Sequence, residues 1–360
     1  MANALVSRAI EIIRANQASS GAYIASPNFP PYRYAWFRDG AFVAYAMDGV
    51  GETASAARFH DWAAATIAQH AAQAHAGITR ARRGESLKSE EGLHTRYALD
   101  GAEGDEIWPN FQLDGLGTWL WSAVEYLKRH DDVSAATRWS DSLHLAADYL
   151  GTLWRVPNYD CWEEFGDRVH VSTLSALYGG LRAFADWQGD PARAHIADEI
   201  RAFVLEEGVR EGHLIKFLGN LEVDASLLGA AIPYHVLAVD DPLMAATIEK
   251  IERDLRRDGA GVHRYAADSY YGGGEWVLLT AWLGWYYAAC GEVTRARDCL
   301  AWVVAQADAQ GELPEQVPVN LNVPSQYSEW LMRWGPIAKP LLWSHAQFLI
   351  LWKSLNDPSH

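Results

Sequence analysis

Residues 275–289, EWVLLTAWLGWYYAA, hold a glutamate and a threonine among side chains that are otherwise apolar, aromatic or small. At 3.6 residues per turn, Trp276, Val277, Leu278, Leu279, Ala281, Trp282, Leu283, Trp285 and Tyr286 go round the whole helix. No face is left for water, so the helix has to be buried on all sides. The segment before it, 242–257, differs: Glu249, Lys250, Glu252, Arg253, Arg256 and Arg257 keep a broad charged face. Working outward from this pair, apolar residues recur at helical spacing over about 4–17, 39–49, 53–73, 114–130, 134–153, 171–188, 191–207, 224–236, 242–257, 275–289, 292–309 and 341–355. The even-numbered segments are the more apolar. Six buried helices inside six half-exposed ones predict an all-α chain, an (α/α)6 barrel of about twelve helices.

Local signals place the borders. Asp190-Pro191 and Asp241-Pro242 put a capping aspartate before a proline at the first helical position. Gly189, Gly208, Gly259, Gly291 and Gly311 stand where helices should end. No strand pattern competes, although the long loops have room for short hairpins. With no linker or low-complexity tract, residues 1–360 read as one domain.

The net charge of −16 and the pI near 5.2 are wrong for a phosphate-backbone ligand, so nucleic acid is not an expected partner. Cys161, Cys290 and Cys299 lack CxxC spacing, and no HExxH, GxSxG or phosphate-cradling glycine loop is present. No metal or cofactor is expected. Neither a secretory signal nor a membrane-length apolar run is seen, which predicts a cytoplasmic protein with no membrane partner.

If consecutive helices run antiparallel, every loop from an odd to an even helix emerges at one end. The chemistry-bearing residues sit in those loops. The first contains YRYAWFRD (32–39), where aromatic faces suit the C–H surface of a sugar and Arg38 and Asp39 suit its hydroxyls. Asp39 also reads as the cap of the next helix. The second loop is long, about 74–113, and ends in EIWPNFQLDG (106–115), with Trp108 as a platform or small core and Asp114 as a helix cap. The third holds YDCWEE (159–164), the fifth RYAADSYY (264–271), and the last LPEQ (313–316). Glycoside hydrolysis needs two carboxyl groups, and Glu163 and Glu315 are the candidates. An acid between an indole and a second carboxylate should have a raised pKa, and Glu163 fits that description.

These loops, in this order, resemble the catalytic domain of glycoside hydrolase family 15, the glucoamylases and their glucodextranase, trehalase and isomaltose-hydrolysing relatives. YRYAWFRD, WEE, RYAADSYYGGGEW, LPEQ and PLLWSHAQFL carry the resemblance, which spans nearly the whole chain and implies a single catalytic domain, without the N-terminal β-sandwich or starch-binding module of some relatives. It implies an inverting exo-acting hydrolase that frees β-glucose from α-glucosides without metal or organic cofactor. It further implies Glu163 as general acid and Glu315 as general base. Arg38, Asp39 and Arg264 then hold the terminal glucose, Trp108, Trp162 and Glu164 line subsites, and Tyr32 lies near the catalytic water. Trp36 belongs to the first sugar-binding loop, and Trp343 opens the last helix.

Asn110 stands where glucoamylases carry an arginine, and 317–339, with Tyr327, Trp330 and Trp334, is a long aromatic stretch expected to narrow the pocket. Short α-gluco-oligosaccharides, isomaltose-type first, are therefore the expected substrates, ahead of α-1,4-linked glucosides and trehalose. Two rivals stay open. One is a sugar epimerase using histidines such as His345 for proton transfer; the other is a sugar-binding protein without catalysis.

Overall fold

The computed structural model describes residues 2–87, 91–257 and 261–356. Among them run α1 (Ala2–Ala15), α2 (Phe37–Gly49), α3 (Thr53–Gln69), α4 (Ala71–Arg82), α5 (Asp114–His130), α6 (Val133–Leu153) and α7 (Val171–Gln188). They continue with α8 (Pro191–Glu207), α9 (Pro242–Leu255), α10 (Val277–Ala289), α11 (Val293–Ala305), α12 (Pro324–Trp334) and α13 (Leu342–Asn356). Packing closes an inner ring: α2 lies on α5, α5 on α7, α7 on the 3-10 segment Ala225–Ala230, that segment on α10, α10 on α13, and α13 back on α2. Helices α1, α3, α6, α8, α9 and α11 cover it, which makes an (α/α)6 barrel.

Helix α10 is buried from Val277 to Tyr287, as its uniform apolarity requires. Truncating Trp282 there would cost about 3–5 kcal/mol by the usual scale for buried aromatics. The ring is tightest between α5 and α7, where a Cβ on Gly180 would lie 2.4 Å from the Gly117 carbonyl oxygen. The caps follow the sequence signals. Asp190 accepts from the amides of Ala192 and Arg193, and Asp241 from Leu243, each ahead of its proline. Gly189 ends α7 in the left-handed conformation, with φ of 67°. Gly311 instead turns a loop after α11 has ended, and Gly259 lies outside the described residues.

Three segments depart from the periodicity reading. The stretch 53–73 breaks at His70 into α3 and α4, and α4 runs on to Arg82, so the opening of the expected second loop, 74–82, is helix. The expected helix over 224–236 is a short 3-10 segment, because Pro233 offers no amide and bars its predecessor from helical geometry. Within 317–339, α12 forms, none of whose residues is buried.

The loops after α1, α4, α6, α8, α9 and α11 do emerge together, and backbone hydrogen bonds lace them into a continuous collar. Strand β1 (Ala35–Trp36) pairs with β2 (Arg96–Tyr97), and Tyr159 N donates to Phe111 O at 3.0 Å. A bridge joins His170 to Phe217 beside the hairpin β3 (Val209–Arg210) and β4 (His213–Leu214). Ala225 N donates to Arg264 O at 2.8 Å, β5 (Glu275–Trp276) pairs with β6 (Gln316–Val317), and Leu342 N returns to Ala25 O at 3.0 Å. Each loop is thus fixed by both neighbours, which satisfies backbone groups that would otherwise be buried unpaired.

Candidate active site

Inside the collar, over the axis of the inner ring, lies a pocket enclosing about 440 Å3 of space that is continuous with solvent. Of the residues singled out by sequence, Tyr32, Trp36, Arg38, Asp39, Trp162, Glu163, Arg264, Glu315 and Trp343 line it. Both candidate catalytic carboxylates therefore face one cavity, although 152 positions separate them in the chain.

Glu163 stands at the apex of a turn closed by Glu163 N to Asp160 O at 2.9 Å and Asp160 N to Glu164 O at 3.0 Å. Its φ of 69° is in the left-handed region, which a residue with a Cβ adopts at a cost of about 1–2 kcal/mol. Its Oε1 accepts from Trp36 Nε1 at 2.8 Å and from Gln112 Nε2 at 3.2 Å. Both donors take the same oxygen. Oε2 receives no hydrogen bond from the described residues.

Glu315 precedes β6 and is anchored by its own amide on Ala338 O, at 3.0 Å, and by its carbonyl, which accepts from Val277 N at 3.2 Å. Its side chain is 3% exposed. Oε1 accepts from the Tyr32 hydroxyl at 3.1 Å, and Oε2 is buried with no partner. Burial pushes this carboxyl up to about 8, against the pull of Arg264 and the Tyr32 hydrogen bond. The sequence did not single out Glu315 for such a displacement. Tyr270 completes the group, its hydroxyl 3.2 Å from that of Tyr32.

The charged floor is fixed by ion pairs. Arg38 bonds Asp114 at 3.0 Å and Gln112 at 3.1 Å, and lies 3.4 Å from Asp39. Asp114 is thus a buried partner of Arg38 and not a helix cap. Asp39 is not a cap either, since α2 begins two residues earlier; burial raises its pKa to about 6 despite Arg38. Arg264 is held by Asp268 through Nε at 2.8 Å and leans on Glu164 at 3.4 Å. The walls are aromatic: Trp343 stacks on Phe42 and Trp162, and its indole nitrogen, like that of Trp276, is buried without a partner.

Two expected wall residues lie elsewhere. Trp108 is outside the pocket lining, edge-on to Trp36 and Trp334, with the Arg96 guanidinium 3.7 Å from its ring centre. One face is already covered, so it backs Trp36. Glu164 is half-buried and braces Arg264 and the Tyr265 hydroxyl instead of lining the cavity; burial raises its pKa, against the pull of Arg264. The aromatic stretch around α12 packs Trp330 and Trp334 near Phe29 and Tyr271, buttressing Tyr32 and Tyr270 from outside.

Trp276, Gln112 and Tyr270 join the site with no role read for them in advance. The first looked like core, and the other two sat inside recognised motifs. His345 is fully buried and accepts from Leu313 N at 3.1 Å through Nε2. Burial pushes its pKa down to about 3. It lies outside the pocket lining, which removes the proton-transfer role that an epimerase would need. No described helix is long and apolar enough to cross a membrane.

A pocket at the mouth of an (α/α)6 barrel, walled by tryptophans, floored by paired guanidinium and carboxylate groups and flanked by two carboxyls, defines a glycoside-cleaving enzyme. The pattern of glycosyl hydrolases family 15 matches residues 1–312, and the chain belongs to that family. The isomaltose glucohydrolase of Kribbella flavida is 45% identical over 350 residues, 94% of this chain and 89% of that protein. A solved glycosidase superimposes with a TM-score of 0.94 at 43% identity, covering 99% of this chain and 97% of its own. A glutamate-to-alanine variant of a glycosidase, with the same TM-score, identity and coverage, is a complex with glucose. A bacterial glucoamylase complexed with acarbose shares the fold, with a TM-score of 0.75 at 21% identity over 98% of this chain and 55% of its own.

Proposed function

We propose that this hydrolase removes single glucose units from the non-reducing ends of short α-gluco-oligosaccharides, isomaltose-type first, with inversion to β-glucose. The observation that carries the mechanism is the matched state of the two carboxyls: each has one oxygen held by the protein and one without a protein donor, and both line one pocket. Glu163 donates its proton to the departing glycosidic oxygen. Glu315 takes a proton from a water that attacks the anomeric carbon from the opposite face. Tyr32 holds Glu315 so that its second oxygen is the one that meets the water.

Arg38, Asp39 and Arg264 then hydrogen-bond the hydroxyls of the terminal glucose, and Trp36, Trp162 and Trp343 cover its apolar faces. A pocket with a closed floor admits one chain end, which is the physical basis of exo action. The α-1,6 preference is supported by the 45% identity to an isomaltose glucohydrolase. Initial rates on isomaltose, maltose and trehalose test it. Isomaltose should lead kcat/KM by at least about tenfold, a margin of roughly 1.4 kcal/mol in transition-state binding; faster turnover of maltose or trehalose rejects the preference.

A further inference from the structure

The fourth loop of the collar carries no sugar-binding motif, yet it sends one cation into the protein interior. Lys216 is 3% exposed, and its ammonium meets Asp160 Oδ2 at 3.2 Å and Asp224 Oδ2 still more closely. Those aspartates are 2% and 1% exposed. Burial alone would lower the lysine's pKa, but Asp224 and Asp160 outweigh it and hold it above its usual value. Lys216 is outside the lining of the pocket. Its backbone is fixed by Lys216 N to Glu222 O at 2.9 Å and by Val171 N to Lys216 O at 3.2 Å.

What the two aspartates hold is the acid's surroundings. Asp160 Oδ1 accepts from the amides of Trp162 at 3.0 Å and Glu164 at 2.9 Å, the two residues that flank Glu163. Asp224 accepts from the Trp162 indole at 3.0 Å and from Ser226 N and Oγ at 2.8 and 2.7 Å. The same ammonium lies 3.7 Å from the ring centre of Tyr265, whose hydroxyl donates to Glu164. A single buried charge therefore ties the third, fourth and fifth loops to the turn in which Glu163 adopts its left-handed backbone. His170 Nδ1 also stands 4.0 Å from Asp160 Oδ2.

We propose that Lys216 is a positioning residue for the protonation step, locking Asp160 to Asp224 and so fixing the turn that aims Glu163 at the glycosidic oxygen. The inference rests on Glu163 being the acid. A residue that acts only by supporting the fold would affect every substrate alike; one that aims the acid matters where the leaving group needs a proton. Isomaltose has such a leaving group, and α-glucosyl fluoride has much less need of one.

The experiment compares both substrates in Lys216→Met and in Lys216→Met/Asp224→Asn, the second of which keeps the net charge of the buried cluster and guards against failure to fold. Glu163→Gln serves as reference. On isomaltose, kcat should fall about 100-fold, the scale of a roughly 1 Å misplacement, with KM changed by less than about threefold. On α-glucosyl fluoride the loss should stay below about fivefold, and Glu163→Gln should show the same split. Equal losses on both substrates in the folded lysine variants, or no loss on either, overturn the inference while the reference split leaves Glu163 as the acid. Equal losses in Glu163→Gln itself overturn that assignment and the inference with it.

Discussion

Glu163 and Glu315 meet one pocket on very different supports. Around Glu163, within the third, fourth and fifth loops, lie Asp160, Lys216, Asp224, Glu164 and Arg264, a buried lattice of charge whose hydrogen bonds enforce an unfavourable backbone angle. Around Glu315 lie Tyr32, Tyr270, Tyr271 and Phe29, with Trp330 and Trp334 of α12 behind them; a single hydroxyl reaches the carboxyl, and the charge of Arg264 offsets only part of its burial. A polar frame can hold a proton donor in a fixed direction. An apolar one raises the free energy of the charged form, and so makes a stronger base of the carboxylate once it ionises.

The sharpest way to break this contrast is to neutralise each carboxyl in turn. Glu315→Gln should lose about 1,000-fold or more in kcat on isomaltose and on α-glucosyl fluoride, since both reactions need an activated water; Glu163→Gln should lose heavily on isomaltose alone. Steady-state rates on the two substrates check this, and matching profiles for the two variants would erase the division of labour.

Tyr32→Phe probes the lone hydroxyl. Its hydrogen bond favours the ionised form of Glu315, so its loss should raise the carboxyl's pKa further. As the proposed base, Glu315 has to be ionised to act, hence the acidic limb of the kcat/KM profile should lie well above the ordinary carboxylate range in the parent and move to still higher pH in the variant. At pH 6 the rate should fall roughly tenfold, the scale of one hydrogen bond to a charged group.

The smallest effect is on stability. With its folded pKa near 8 against an ordinary 4.5, Glu315 contributes stability that is complete below about pH 4.5 and is lost as pH rises through about 8. Glu315→Gln has no such loss. Its Tm should exceed the parent's by a few degrees more at pH 9 than at pH 5, as measured by calorimetry.

Much of this was legible in the residues because burial leaves a compositional mark. The uniform apolarity of 275–289 marks an inner helix, and the alternation of such segments with charged ones gives the barrel and the shared end of its loops. The capping pairs at Asp190 and Asp241 are local chemistry and hold in the structure. Apolar spacing over 224–236 does not make an α-helix because Pro233 lies within it, and α12 leaves no mark because a helix that buries no residue has no core stripe. Nine of the eleven site candidates line the pocket, while Trp108 and Glu164 stand behind it. Whether an aromatic in a loop meets solvent or a neighbour depends on Arg96, a contact made by folding. Lys216 left no trace, since a lone lysine in GHLIKFLGN becomes distinctive only when Asp224 of its own loop and Asp160 of the loop before close on it.

The stereochemistry of the first product tests the central claim most directly: that Glu163 and Glu315 act from opposite sides of the scissile bond, with water between. In a proton NMR time course on isomaltose, with enzyme enough to outrun mutarotation, the account predicts that newly released glucose appears first as the β-anomer and only later drifts to equilibrium. First appearance of the α-anomer would contradict it.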